Sequence, residues 1–178
     1  MKEELTIHKK TEGGNTAYFS CGCFWGAEFY FRKAEGVIST TVGYMGGNRQ
    51  NPTYEDVYRG DSGHLETTEI VFEPKIISYP ELVKLFFEIH DFTQEDGQGP
   101  DIGKQYVSNI FYTDEHQKKI AEKYMELLKD MGYDVATTLK TAKDTPFWKA
   151  ENYHQDYYEK KGESPYCHFR RKIFPENT

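Results

Sequence analysis

The sequence predicts an α+β fold, a ferredoxin-like split β-α-β two-layer sandwich with a mostly antiparallel sheet and a long coil C-terminal tail. Runs of β-branched and aromatic residues alternate with stretches of helical apolar spacing, in the order β-α-β-β-α-β. Helices in this order cover one face of the sheet. The chain has 178 residues, and domains commonly contain roughly 100–200 residues. We therefore predict one domain over 1–178.

The first half of the chain is expected to supply three strands and two helices. Residues 1–15 are polar and predict an extended lead-in. The predicted elements are a strand at about 17–21, a helix at about 24–34, strands at Val37–Tyr44 and Glu66–Phe72, and a helix from about Pro80. A long loop rich in turn residues lies between the second and third strands, and such loops are more often functional than not.

A second long loop, from His90 to Asp101, opens the other half of the chain. The elements expected after it are a strand at Tyr106–Tyr112, a helix from Asp114 to about Met131, an edge strand at Val135–Leu139 and a helix at Phe147–Tyr158. Residues 160–178 are polar, which predicts a coil tail on the surface, and this tail carries Cys167.

Composition and charge exclude several function classes. A net charge of −7 argues against a nucleic-acid partner, because phosphate binding needs clustered Lys and Arg. No apolar run approaches the roughly 20 residues that span a bilayer, and the start of the chain has no signal-peptide core. Three cysteines form no disulfide framework, so we expect a cytoplasmic protein with reduced thiols, and a monomer.

Cys23 lies where the chain is predicted to pass from strand to helix. Gly22 gives the backbone freedom for a sharp turn, and Phe24 follows at the start of helical spacing. A thiol at a helix N-terminus has its pKa lowered by the unpaired N–H groups, which favours a nucleophilic thiolate. The alternative is an inert buried cysteine, which is a common fate of this residue type.

The segments around Cys23 and along the chain resemble the A-type peptide methionine sulfoxide reductases (MsrA). The motif is Gly-Cys-Phe-Trp-Gly-Ala-Glu at 22–28, and matching segments follow in family order at 43–47, 51–54, 63–66, 90–94, 98–106 and 150–155. The matches spread over about residues 17–170, and so many in register are very specific. The resemblance implies a peptide-methionine (S)-S-oxide reductase that repairs oxidised proteins and also accepts the free amino acid.

The resemblance assigns roles to a set of side chains around the thiolate. Attack on the sulfoxide sulfur drives charge onto the oxygen, and in the family this oxygen is served by residues matching Glu66, Tyr54 and Tyr106. Phe24 and Trp25 match the cradle for the methyl group. Taken alone, each of these residues has an ordinary alternative, since a Glu is usually solvated and aromatic residues usually pack in the core.

Attack should leave Cys23 as a sulfenic acid, which a second thiol condenses to a disulfide. Cys167 matches the family's first recycling cysteine, and the family's electron donor is thioredoxin, so no bound cofactor is implied. Cys21 departs from the family pattern, and as part of Cys-Gly-Cys it is either an alternative resolving cysteine or a packing residue. Asp101 is also matched, and we expect it to orient the substrate backbone or the neighbouring loop.

Histidines at 64, 90 and 154 show no metal-ligand spacing and are expected to form a hydrogen-bonding scaffold. Two other function classes stay open at this stage. One is a general dithiol–disulfide oxidoreductase that uses Cys21 and Cys23 and is indifferent to Glu66. The other is a non-catalytic module that binds oxidised or apolar peptides in an aromatic pocket.

Overall fold

The computed structural model describes residues 15–176 and 178, so the predicted lead-in over residues 1–14 lies outside the described residues. The strands are β1 (Asn15–Ser20), β2 (Val37–Met45), β3 (Leu65–Phe72), β4 (Gly97–Gln98), β5 (Asp101–Ile102), β6 (Asn109–Tyr112), β7 (Thr138–Thr141) and β8 (Trp148–Lys149). The helices are α1 (Phe24–Arg32), α2 (Tyr54–Tyr58), α3 (Tyr79–Glu88), α4 (Glu115–Asp130) and α5 (Tyr157–Lys161). The predicted α+β class is confirmed.

One six-stranded sheet has the order β7-β6-β1-β3-β2-β8. All of its pairings are antiparallel except that between β6 and β7. The first two strands of the chain, β1 and β2, are separated by β3, which is the split arrangement that the element order predicts. The small strands β4 and β5 form a separate hairpin within the second long loop.

Alternate residues of the strands bury one face of the sheet under the helices. Phe19 of β1 and Ile70 of β3 share a core cluster with Phe31 of α1 and Phe86 of α3. Because side chains alternate across a strand, Glu66 lies on the same face of β3 as Ile70. Glu66 is therefore on the helix side of the sheet, at the end of β3 that is nearest the start of α1.

Several local predictions are wrong, each because tertiary contacts override the local pattern. The segment predicted as a helix at Phe147–Tyr158 instead forms β8 on the free edge of β2, then a 3₁₀ turn at Asn152–His154 and the short helix α5. Tyr106 belongs to a 3₁₀ turn, and the strand predicted to start there begins at Asn109. The edge strand, β7, starts at Thr138 because it pairs with β6 from that residue onward.

The tail after α5 has no regular secondary structure, as predicted, but it is firmly packed. Cys167, His168 and Phe174 are buried, and Phe174 joins the main core cluster. Glu88, at the end of α3, accepts hydrogen bonds from the backbone N–H of Ile173 and from the guanidinium of Arg170. The tail thus carries Cys167 into the fold and does not wrap loosely over the surface. Within residues 15–176, no helix is long and apolar enough to cross a membrane.

Candidate active site

The turn between β1 and α1 places Cys23 at the cap position of the helix. Gly22 has φ +93°, a conformation that only glycine adopts without strain. A Cβ at Gly22 would also overlap the side chain of Gln98. The chain can therefore turn sharply enough to aim Cys23 across the end of the sheet, toward β3.

Glu66 faces the start of α1 from β3. Its side chain is 3% exposed, and Oε2 accepts a hydrogen bond of 3.0 Å from the backbone N–H of Phe24. Burial raises the pKa of Glu66 to about 8, against the lowering effect of that hydrogen bond. Near neutral pH the group is consequently a carboxylic acid, with a proton to donate.

Tyr54 and Tyr106 are held near Glu66 by two short structures. Tyr54 is the first residue of α2, whose start is fixed by a capping box between Thr53 and Asp56. Tyr106 closes the 3₁₀ turn after β5. Burial raises the pKa of both phenols, to about 12 for Tyr54, and the Glu66 carboxylate adds to the effect. Both hydroxyl groups are therefore neutral hydrogen-bond donors at physiological pH.

Phe24 and Trp25 form an aromatic wall whose orientation depends on His154. The indole Nε1–H of Trp25 donates to Nδ1 of His154 at 3.0 Å. The imidazole also contacts the rings of Phe24 and Tyr54, with centroid distances of 5.2 and 4.8 Å. On its outer face Trp25 stacks on Tyr157 at 3.7 Å. The scaffold role predicted for His154 is visible here, but its link to Trp25 could not be read from the sequence.

Cys167 meets Cys23 from the tail, and in this structure both are free thiols. A hydrogen bond from Cys23 lowers the pKa of Cys167, to about 6. The same contact with Cys167, together with burial and the nearby Glu66, raises the pKa of Cys23. These contacts oppose the lowering of the Cys23 pKa that a helix N-terminus gives, and in the reduced pair Cys167 is the thiol with the lowered pKa. The N–H of Phe24 is bound by Glu66, whereas the N–H of Trp25 still acts on Cys23 and lowers its pKa.

Cys21 and Asp101 have contacts that the sequence left open. The side chain of Cys21 is 1% exposed and belongs to the main core cluster. Both carboxylate oxygens of Asp101 accept from the hydroxyl of Tyr166 at 3.2 Å. Asp101 therefore holds the tail next to Cys167. The structure thus brings together every residue predicted for the site, with Cys21 packed beneath it and Asp101 at its rim.

Comparison with known proteins identifies the chain. The sequence profile described as "Peptide methionine sulfoxide reductase" matches residues 15–178. The chain belongs to this family. It is an oxidoreductase that reduces methionine sulfoxide by cysteine chemistry.

Relatives and solved structures agree with this assignment. A "Peptide methionine sulfoxide reductase MsrA" of Methanococcus maripaludis is 51% identical over 147 residues, which are 82% of this chain and 92% of the relative. The reduced form of Mxr1 from Saccharomyces cerevisiae superposes with a TM-score of 0.83 at 33% identity, covering 93% of this chain and 97% of Mxr1. Mxr1 in complex with Trx2 gives a TM-score of 0.60 at 26% identity, covering 93% and 96%.

Two contributors to the site were missed as such from the sequence, His154 in its contact with Trp25 and His168 in its contact with Cys167. His168 had one available signal, since it directly follows the predicted recycling cysteine. Among the described residues, no group of three or more His, Cys, Asp or Glu side chains could hold a metal ion.

Proposed function

We propose that this reductase is one domain that uses Cys23 as nucleophile, Glu66 as proton donor and Cys167 as resolving thiol, on the S epimer of methionine sulfoxide. The observation that supports these roles best is the buried, protonated Glu66 next to Cys23. A neutral carboxylic acid is the group that can both bond to a sulfoxide oxygen and transfer a proton to it. The substrates proposed are methionine sulfoxide in proteins and as the free amino acid.

The first step forms a bond between the Cys23 sulfur and the sulfoxide sulfur. Electron density moves onto the oxygen, which takes the proton of Glu66, while Tyr54 and Tyr106 donate hydrogen bonds to it. Each well-placed donor of this kind is worth on the order of 3–4 kcal/mol in the transition state. Transfer of the hydroxyl to Cys23 then gives a sulfenic acid and methionine, and the thiol proton restores the Glu66 carboxyl.

The wall of Phe24 and Trp25 is proposed to receive the methyl group of the substrate. Two apolar rings suit the methyl group of a sulfoxide, and the proton donors Glu66, Tyr54 and Tyr106 suit its oxygen. Asp101 is proposed to act at the rim of the site, where its hydrogen bond from Tyr166 links the second long loop to the tail.

In the second step Cys167 condenses with the sulfenic acid and forms a disulfide with Cys23. We propose thioredoxin as the electron donor that reduces this disulfide, with no bound cofactor. Support comes from the structural relative Mxr1, which has been captured in complex with Trx2. We further propose a monomer in the cytoplasm, where thiols remain reduced.

Three cysteine variants test the proposal with stereochemically pure sulfoxides. Cys23→Ser should abolish methionine formation. Cys167→Ser should release about one methionine per enzyme but fail to turn over with thioredoxin, because the sulfenic acid is formed and then not resolved. Cys21→Ser should turn over normally. Methionine formation by Cys23→Ser would overturn the nucleophile, and loss of turnover in Cys21→Ser, with normal turnover in Cys167→Ser, would overturn the resolving residue.

A further inference from the structure

His168 follows Cys167 directly and is enclosed between the tail and α1. Its ring Nδ1 lies 3.1 Å from the Cys167 sulfur, and Nε2 lies 2.6 Å from the backbone carbonyl oxygen of Cys21. The residue is 1% exposed. A Cβ at Gly26 would overlap this ring, so the absence of a side chain at Gly26 makes the space in which the imidazole sits. Tyr30 fixes the backbone by donating to the His168 carbonyl.

The Cys21 carbonyl decides what His168 can do for Cys167. A carbonyl oxygen only accepts hydrogen bonds, so Nε2 must carry the proton in that contact. The other nitrogen, Nδ1, is then left as the basic site, and it points at the Cys167 sulfur. An imidazole fixed by an acceptor on one nitrogen and facing a thiol with the other is the arrangement that activates nucleophilic cysteines.

The charged and titratable surroundings favour a proton on this ring. Burial lowers the pKa of His168, but the hydrogen bonds to the side chains of Cys167 and Cys21, with the charges of those two thiols, raise it to about 10. Several other titratable groups act electrostatically on the Cys167 sulfur or the His168 imidazole. They are Cys21, Cys23, Glu66, His90, Asp101, Tyr158 and Tyr166. His90 is the other imidazole of this set, and burial lowers its pKa, so it is neutral.

We propose that His168 is a catalytic residue of the resolving step, which takes the proton of Cys167, keeps that thiol as a thiolate, and returns the proton to the hydroxide that leaves Cys23. The proposal rests on the proposed roles of Cys23 and Cys167 and deepens them. It makes Cys167 and His168 an imidazolium–thiolate pair that is formed before the substrate is reduced.

The step balances in atoms and electrons. The Cys167 thiolate attacks the sulfur of the Cys23 sulfenic acid, the S–S bond forms and the S–O bond breaks. The sulfur of Cys23 is reduced, that of Cys167 is oxidised, and the oxidising equivalent comes from the sulfoxide. The departing hydroxide takes the Nδ1 proton of His168 and becomes water, so the ring ends neutral with its remaining proton on Nε2.

Two substitutions separate this chemical role from a role in docking the tail. His168→Gln places an amide where Nε2 lay, so it can keep the link to the Cys21 carbonyl but presents no group to Cys167. His168→Asn places an amide where Nδ1 lay, so it can bond to Cys167 without holding its proton. His90→Gln is the matched control, because His90 is also a buried imidazole with two partners, the Phe86 carbonyl and the Ser108 hydroxyl.

The measurement is the rate of Cys23–Cys167 disulfide formation after one sulfoxide turnover, followed from pH 5.5 to 9.5 by trapping the remaining sulfenic acid. The hydrogen bond from Cys23 is the first cause of the lowered Cys167 pKa of about 6, and the bond and charge of His168 lower it further. If the whole shift were lost, up to the ordinary value of about 8.5, the thiolate fraction at pH 6 would fall by about 150-fold, which is the upper limit for a His168 variant. The higher basicity restores about tenfold of the nucleophilicity, which leaves a net loss of up to about 15-fold at pH 6. At pH 9, where most of the thiol is ionised in either protein, the same basicity makes the variant up to about sevenfold faster.

In both His168 variants we therefore expect the rate of disulfide formation to rise with pH up to about 8.5, whereas in the wild type and in His90→Gln it should level off near pH 7. Methionine formation in the first turnover should stay within about twofold of wild type in the control variant His90→Gln. Thiolate absorbance at 240 nm, with Cys21 and Cys23 replaced by Ser, should show the same upward shift of the Cys167 titration.

An unchanged pH profile of disulfide formation in both His168 variants would overturn the proposal, even though Cys167 remained the resolving residue. If peptide mapping shows that Cys23 of the wild type is bonded to Cys21 and not to Cys167, both this proposal and the proposed resolving role of Cys167 are overturned. The two failures are distinguishable because the first appears in the rates and the second in the mapped disulfide.

Discussion

Glu66→Gln removes the proposed proton donor while keeping the shape of the side chain. The amide oxygen can still accept from the Phe24 N–H, which is 3.0 Å from Oε2, and the amide N–H can still bond to the sulfoxide oxygen. Only proton transfer is lost, and general acid catalysis contributes about 10²–10⁴ in rate. We therefore expect methionine formation in a single turnover to slow by about a hundredfold or more.

The same variant reports the protonation state of Glu66 through stability. The native pKa of about 8 is raised above the ordinary value of 4.5, so between these pH values the native state holds a proton that the unfolded state has lost. Stability contributed by this group is therefore full below pH 4.5 and is lost as the pH rises toward 8. The loss is about 1.4 kcal/mol per pH unit, or about 3 kcal/mol between pH 5 and pH 7.

Glutamine does not titrate, so the free energy of unfolding of Glu66→Gln relative to wild type should increase by about 3 kcal/mol between pH 5 and pH 7. Urea unfolding of the reduced proteins at the two pH values measures this, and pH effects of other groups cancel in the difference. An equal difference at both pH values would refute a protonated Glu66, and an unchanged single-turnover rate would remove Glu66 from the mechanism.

Three further predictions concern the phenols and the tail. Tyr54→Phe and Tyr106→Phe should each slow single-turnover methionine formation by roughly 10²-fold, as expected for one lost donor, and a wild-type rate would exclude that phenol. Gly26→Ala should displace the imidazole of His168, and disulfide formation should then slow while methionine formation is unchanged. A rate of disulfide formation equal to that of the wild type would contradict this. Tyr166→Phe removes the hydrogen bond to Asp101 and should slow disulfide formation without changing KM. If Asp101→Asn instead raises KM and forms the disulfide at the normal rate, Asp101 belongs to substrate binding.

The fold could be predicted from the sequence because its strands have a strong local signal. Val37–Met45 is rich in β-branched residues and Leu65–Phe72 is bounded by turn residues and a proline. The segment around Trp148 could not be predicted in this way. Its backbone pairs with β2, and the Gln155 side chain bonds to both the N–H and the carbonyl of Val42. Those contacts come from residues more than a hundred positions away.

The side chains that the structure brings together at the candidate site could be predicted from the sequence, but the shifts of their pKa values could not. Motif resemblance indicated Cys23, Glu66 and Cys167, and the structure brings them together. The helix N-terminus suggested an acidic Cys23, but this inference assumed that the N–H groups of α1 were free. Glu66 occupies the N–H of Phe24, and it does so as a neutral acid. The contact with Cys167, burial and the charge of Glu66 together raise the pKa of Cys23, and all three depend on residues far away in the sequence.

This distribution of protons has a consequence for the order of events. In the reduced enzyme the pKa of Cys167, in contact with Cys23 and His168, is lowered, and that of Cys23 is raised. A bound sulfoxide must take the place of Cys167 as the partner of Cys23 before attack begins. The tail thiol then has to leave the contact and return after the sulfenic acid forms. Holding Cys167 as a thiolate through His168 makes that return productive at neutral pH, because the nucleophile needs no further deprotonation.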